Sequence, residues 1–147
     1  MSRRRLHRLA FGLTLTLAAA PAPAAELAAV VSAKAAVSPL TAAQLADIYF
    51  GRSNRFPDGT PAQPCDLAEG SPLRDEFYNR VTGKSAAQVK AYWSKMIFTG
   101  RGRPPREVAS SQEAKRLVVE NPGVVCYIDR GLVDSSVTVV LDIGDAR

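Results

Sequence analysis

At residues 62–83 the chain reads AQPCDLAEGSPLRDEFYNRVTG, a short strand pattern followed by a helix pattern. The run Ala62 to Leu67 is predicted to form a short strand. Ser71 followed by Pro72 is typical of a helix start, because serine caps free N–H groups and proline fits the first helical position. Gly83 marks the end of that helix. A strand that leads directly into a helix is the repeating unit of α/β folds.

The same alternation continues on both sides of this unit. Capping boxes, in which a serine or threonine precedes Gln or Glu by three residues, predict three more helices, starting at Thr41, Ser85 and Ser110. Apolar runs predict the other strands, at Leu27–Val31, Glu107–Ala109, Val124–Ile128 and Val137–Ile143. Strands that alternate with helices favour parallel pairing, so the predicted fold is an α/β three-layer sandwich.

The helix predicted after Ser85 has its apolar residues at helical spacing. They are Val89, Tyr92, Trp93, Met96 and Ile97. Such a stripe is more typical of a helix packed on a core than of a ligand site, so we expect it to face inward.

The N-terminal residues have the composition of a secretory signal peptide. Four arginines within residues 3–8 precede an apolar stretch at residues 9–20, and small residues at 22–24 suit a signal peptidase. The apolar stretch is shorter than the ~20 residues of a membrane-spanning helix, and a retained anchor is the alternative. We expect a signal peptide at residues 1–24 and a periplasmic domain at residues 25–147 that is not embedded in a membrane. Both Sec and twin-arginine export remain open.

The charge of the predicted mature domain is nearly balanced. The chain has 19 Lys and Arg residues against 14 Asp and Glu residues. Four of the arginines lie in the predicted leader, which leaves 15 basic and 14 acidic residues, a net charge of +1. This small excess gives no reason to expect a nucleic-acid partner.

Several kinds of catalytic chemistry are missing from the sequence. The one histidine, His7, lies in the predicted leader, so the domain has no Ser-His or Cys-His pair and lacks the commonest zinc ligand. No glycine-rich nucleotide loop is present. We therefore expect a protein that is not an enzyme and has no cofactor or metal. Cys65 and Cys126 could form a disulfide after export or remain as buried thiols.

Two segments are candidate anion sites. Glu69-Gly70-Ser71 leads into a helix start, where free N–H groups and the helix dipole favour an anion, and Arg74 could add a cation. An ordinary helix cap is the alternative. The second segment is a loop with three arginines, which could hold phosphate or carboxylate groups or remain solvated. These arginines are Arg101, Arg103 and Arg106.

Several of these segments, taken in order, resemble the phosphate-type periplasmic solute-binding proteins. The matching segments are LTAAQLADIYFG at 40–51, FPDG at 56–59, EGS at 69–71, FTGRGRPP at 98–105 and NPGVVCYI at 121–128. The resemblance implies one lobe of a type-II periplasmic-binding fold. It also implies phosphate or another small oxyanion as ligand, and an ABC importer or other membrane protein as partner. In the family's strand order the strands of Cys65 and Cys126 are neighbours, which implies a disulfide between them.

The sequence also departs from the family at the ligand site. Pro72 and Leu73 follow Ser71 where the family has Gly and Thr, and Leu67 stands where it has an arginine. The second lobe, with its own phosphate loop, is not in this sequence. These departures support an alternative function, an interaction module that docks on a membrane partner without binding a small molecule.

Overall fold

The structure is a computed structural model that describes residue 20 and residues 26–144. The predicted signal peptide therefore lies almost wholly outside the described residues. The helices are α1 (Ala42–Tyr49), α2 (Pro72–Thr82), α3 (Ala86–Phe98) and α4 (Ser111–Glu120). The strands are β1 (Leu27–Ser32), β2 (Gln63–Leu67), β3 (Arg106–Val108), β4 (Val124–Asp129) and β5 (Val137–Ile143), and a 3-10 turn, Arg130–Leu132, follows β4. Within the described part, no helix has the length and apolarity to cross a membrane.

The five strands form one mixed sheet in the order β3-β2-β4-β1-β5. Strand β2 runs parallel to β3 and β4, as predicted. Strand β1 runs antiparallel to both β4 and β5, so the expectation of parallel pairing throughout was wrong. Since β1 is antiparallel to β4 and β4 is parallel to β2, the link through α1 and the long loop at residues 50–62 begins and ends at the same end of the strands.

Helices cover both faces of the sheet. Tyr127 of β4 stacks on Phe77 of α2 at a centroid distance of 4.0 Å and lies beside Tyr49 of α1. Helix α4 packs on the other face, where the Ser32 hydroxyl donates to the carbonyl of Val119. Strand β1 is buried along its whole length. The predicted three-layer α/β architecture is confirmed.

The disulfide between Cys65 and Cys126 joins the parallel strands β2 and β4. The register pairs Gln63 with Val124 and Pro64 with Val125, so the next residue of each strand is a cysteine on the same face. The two Cα atoms are 5.1 Å apart, within the range that a disulfide spans. The pairing implied by the family's strand order is therefore confirmed.

Three local predictions need correction. Ile97 is 58% exposed rather than inward. Ser71 precedes α2 as predicted, but its side chain makes no capping hydrogen bond. At α4, Ser110 accepts from the N–H of Glu113, whereas the Glu113 carboxylate accepts from Ala109 instead of completing a capping box.

Candidate functional site

A surface cleft of about 570 Å³ lies where the carboxyl ends of β2, β3 and β4 meet. Its lining residues come from these strand ends, from the starts of α2 and α4 and from the 3-10 turn. They are Leu67, Ser71, Leu73, Ala109, Ser110, Ser111, Gln112, Asp129, Gly131 and Leu132. The carboxyl ends of parallel strands are the usual ligand position in open α/β sheets, so this cleft is the candidate site.

The start of α2 contributes Ser71 to the cleft. The first intrahelical bond runs from the N–H of Asp75 to the carbonyl of Ser71, so the N–H groups of Leu73 and Arg74 precede it. Pro72 has no N–H to offer. Since the Ser71 hydroxyl makes no capping bond, it can turn towards a ligand.

The start of α4 also lines this cleft. Nothing in the sequence indicated that its residues belong to a site. Its first intrahelical bond runs from the N–H of Ala114 to the carbonyl of Ser110. The N–H groups of Ser111 and Gln112 precede that bond, and both residues line the cleft. A helix cap was predicted at Ser110, but only the pairing of β3 with β2 shows that this cap faces Ser71.

Asp129 is the only charged side chain among the described residues that line the cleft. Its carboxylate accepts from the N–H of Gly131 at 2.8 Å, which holds the 3-10 turn in place. Its own N–H donates to the Ser111 hydroxyl at 3.2 Å. The second hydrogen bond connects β4 to the start of α4, and the first holds the negatively charged Asp129 side chain beside the cleft.

Arg74, which we predicted as a cationic ligand, is instead paired with a buried carboxylate. Its Nε donates to Oδ2 of Asp66 at 3.1 Å, and Asp66 is only 3% exposed. Tyr78 donates to the same oxygen at 2.7 Å, and Tyr127 donates to the other one. The Tyr127 hydroxyl also accepts from the N–H of Leu67 at 3.1 Å. This Asp66 network fixes the end of β2 and the first turn of α2, the two segments that form one wall of the cleft.

Burial raises the pKa of Tyr78 and of Tyr127, and the Asp66 carboxylate raises both further. Burial opposes the charge of Arg74, but attraction to Asp66 outweighs it, and the pKa of the guanidinium is raised. The two phenols therefore remain hydrogen-bond donors and Arg74 remains a cation at neutral pH.

The other predicted site residues lie away from the cleft lining. Glu69 forms an exposed ion pair with Lys90 at 2.8 Å, whose hydrogen bond lowers the pKa of that carboxyl. Arg101 and Arg103 are exposed on the loop after α3. Arg106 pairs with Cys65 in the sheet and lines a small cavity at the amino ends of the strands. The structure thus brings Ser71 to the cleft but does not bring the three loop arginines there.

Solved substrate-binding proteins share this fold. A Clostridium perfringens protein, described as a phosphate ABC transporter substrate-binding protein with bound phosphate, matches with a TM-score of 0.63 and 24% identity over 79% of this chain and 44% of its own. An ABC-type phosphate transport receptor from Vibrio cholerae matches with a TM-score of 0.61 and 25% identity, over 79% of this chain and 45% of the receptor. PstS from Borrelia burgdorferi matches with a TM-score of 0.57 and 14% identity, over 79% of this chain and 46% of PstS.

The chain has the fold of these phosphate-type proteins. The resemblance that the sequence motifs indicated is therefore confirmed. The chain spans less than half the length of the solved proteins it matches, as expected for a single lobe. No family sequence model and no curated protein sequence matches the chain.

Among the described residues there is no group of histidine, cysteine or carboxylate side chains placed to hold a metal ion. The polar groups at the cleft are hydroxyls, an amide and backbone N–H groups, together with Asp129. Hydroxyls and N–H groups can donate hydrogen bonds to an anion. The hydrogen-bond donors at the cleft are therefore suited to binding a small anion.

Proposed function

We propose that this chain is an exported, non-catalytic substrate-binding protein of a phosphate or other oxyanion ABC transport system. Its fold is that of solved proteins whose names state phosphate binding or transport. The candidate cleft lies at the carboxyl edge of the parallel strands, where two helix starts converge. That convergence is the observation that carries the proposal, because each helix start presents N–H groups and the positive end of a dipole.

An anion in the cleft would be held by Ser71 on one side and by the start of α4 on the other. The cleft itself supplies no lysine or arginine side chain from the described lining residues, and Asp129 repels a second negative charge. Binding by one open lobe also leaves part of the anion in water. We therefore expect binding by this chain alone to be weak, with a dissociation constant on the order of 1 mM.

Ser71→Ala is expected to weaken phosphate binding about fivefold, the effect of one lost hydrogen bond of about 1 kcal/mol. Since the Ser71 side chain makes no capping bond, the substitution should leave the free energy of unfolding nearly unchanged. Titration calorimetry with phosphate, sulfate and a carboxylate measures the affinity. Ser94→Ala, at an exposed position of α3, is the matched control and should bind as the wild type does.

Arg74→Gln is a poorer test than the sequence indicated. The substitution would leave the Asp66 carboxylate buried without its cation, so a loss of binding could come from misfolding.

Absence of measurable heat at several millimolar phosphate, from wild-type protein whose circular dichroism spectrum shows that it is folded, would refute the oxyanion proposal. Equal affinity of the wild type and Ser71→Ala would move the site away from the cleft.

The alternative is an interaction module that docks on a membrane partner without a small molecule. The observation that favours it is the charge of the cleft, whose only charged side chain among the described lining residues is the acidic Asp129. A cleft of this charge suits a basic segment of a partner better than an anion. The calorimetric titration separates the two functions, because only the first requires phosphate binding.

The proposal includes export, with a signal peptide at residues 1–24 and periplasmic residence of the remainder. N-terminal sequencing of the protein from the periplasmic fraction is expected to start at or near Ala25. The arginines followed by an apolar stretch that ends in small residues support this position. A membrane-bound species that retains Met1 would contradict it.

A further inference from the structure

One continuous stretch of the predicted mature domain is rich in basic residues and lacks acidic ones. Residues 77–106 contain no Asp or Glu at all but seven basic residues. These are Arg80, Lys84, Lys90, Lys95, Arg101, Arg103 and Arg106. Over the predicted mature domain the basic and acidic residues nearly cancel, so the stretch that includes α3 and the following loop has a strong local excess of positive charge.

The end of α3 also exposes two large apolar side chains. Phe98, the last residue of the helix, is 92% exposed, and Ile97 beside it is 58% exposed. They are the large hydrophobic side chains that are most exposed among the described residues. Trp93, about one turn earlier in α3, is buried in the core. The helix is therefore packed on the domain at Trp93 and exposed at its last residues.

Three basic residues near this tip in the sequence have no carboxylate partner among the described residues. Lys95 lies on the last turns of α3, and Arg101 and Arg103 lie on the loop that follows, all of them exposed. None of the three takes part in an ion pair within residues 26–144, whereas Lys90 nearer the start of α3 is paired with Glu69. We name Lys95, Ile97, Phe98, Arg101 and Arg103 the α3 tip.

We propose that the α3 tip docks the protein on the surface of an anionic lipid bilayer. The apolar residues form a protrusion rather than a groove, and a bilayer can admit a protruding phenylalanine without a preformed pocket. Unpaired arginines and a lysine beside it match the negative charge of phospholipid headgroups. The α3 tip is separate from the cleft, so this inference does not depend on the oxyanion proposal.

Vesicle co-sedimentation tests the proposal with protein isolated from the periplasmic fraction, so that the apolar N-terminal segment has been removed. Binding is expected to vesicles of equal parts phosphatidylglycerol and phosphatidylcholine, and to be much weaker to phosphatidylcholine alone. Phe98→Ser is expected to lower the partition coefficient about tenfold, since the substitution removes the apolar ring that the bilayer would bury. Arg101→Gln and Arg103→Gln together should weaken it at least tenfold, from about fivefold for each charge.

Arg116→Gln is the matched charge control, because Arg116 is an exposed arginine on α4 and outside the α3 tip. It should change the partition coefficient less than twofold. In Phe98→Trp, the emission of the new indole should shift to the blue with anionic vesicles, while buried Trp93 gives a constant background. All substituted side chains are exposed, so the variants should retain the wild-type circular dichroism spectrum.

Three outcomes would overturn the proposal. The first is equal binding to anionic and neutral vesicles, or none to either. The second is vesicle binding that the arginine variants abolish but Phe98→Ser leaves unchanged. That result would show that only the charges of the α3 tip act and that Phe98 does not enter the bilayer. The third is binding to an acidic protein or polymer in preference to the vesicles, which would make the docking partner a macromolecule.

Discussion

Asp66→Asn is expected to lower the free energy of unfolding by about 3–5 kcal/mol, a large fraction of the stability of a domain of this size. The substitution removes the negative charge that compensates Arg74, whose side chain is 11% exposed and 3.1 Å from the carboxylate. It also replaces one acceptor oxygen by an amide group that donates, so Tyr78 and Tyr127 cannot both keep their bonds. Equilibrium unfolding in urea measures the change.

The control for this prediction is Asp47→Asn, which breaks an ion pair of similar length on the surface. Arg52 and Asp47 are 2.8 Å apart, but both side chains are about half exposed, so the loss should stay below about 1 kcal/mol. The double variant Asp66→Asn with Arg74→Met removes both charges and should recover part of the lost stability. If Asp66→Asn costs no more than Asp47→Asn, the Asp66 network does not hold the wall of the cleft.

The helices of this chain could be predicted because their signals are local. The reciprocal bonds of Thr41 with Gln44 and of Ser85 with Gln88 form as the capping-box pattern indicates. Gly83, predicted to end the helix that became α2, has a φ of 69°, a conformation that glycine adopts without steric cost. Each signal needs only the four or five residues around it.

The direction of β1 and the residues of the cleft could not be predicted in this way. A strand pattern is the same in either direction, so the sequence could not show that β1 runs opposite to β4. The start of α4 faces the start of α2 only because β3 and β4 flank β2, which is a property of the whole sheet. The helix-start pattern and the family resemblance both indicated Ser71, but neither gave a signal for Ser111 or Gln112 as site residues.

Asp66 was missed for a similar reason. It is a single carboxylate inside a short strand, a pattern that suggests neither a site nor a network. Its partners Arg74, Tyr78 and Tyr127 lie 8, 12 and 61 residues further along the chain. Only the pairing of β2 with β4 and the packing of α2 on that face of the sheet bring them together. The same contacts pair Arg74, predicted as a ligand residue, with Asp66.

Removing the disulfide, with Cys65→Ala and Cys126→Ala together, is expected to lower the free energy of unfolding by about 4 kcal/mol. The bridge connects residues 61 apart, and a loop of this length removes much of the freedom of the unfolded chain. Both cysteines are buried, at 1% and 0% exposure, so alanine leaves only a small additional cavity. Urea unfolding of the two forms gives the difference.

The slope of the unfolding transition distinguishes this mechanism from a loss of packing. A cross-linked unfolded chain exposes less surface, so the dependence of the free energy on urea should be steeper for the double alanine variant than for the oxidised protein. Wild-type protein unfolded in the presence of a reductant should resemble the variant in both midpoint and slope, because it loses the same constraint. Two reactive thiols in freshly unfolded, unreduced protein would show that the bridge is absent. A variant with unchanged slope and a loss below about 1 kcal/mol would show that the bridge does not stabilise the fold through the unfolded chain.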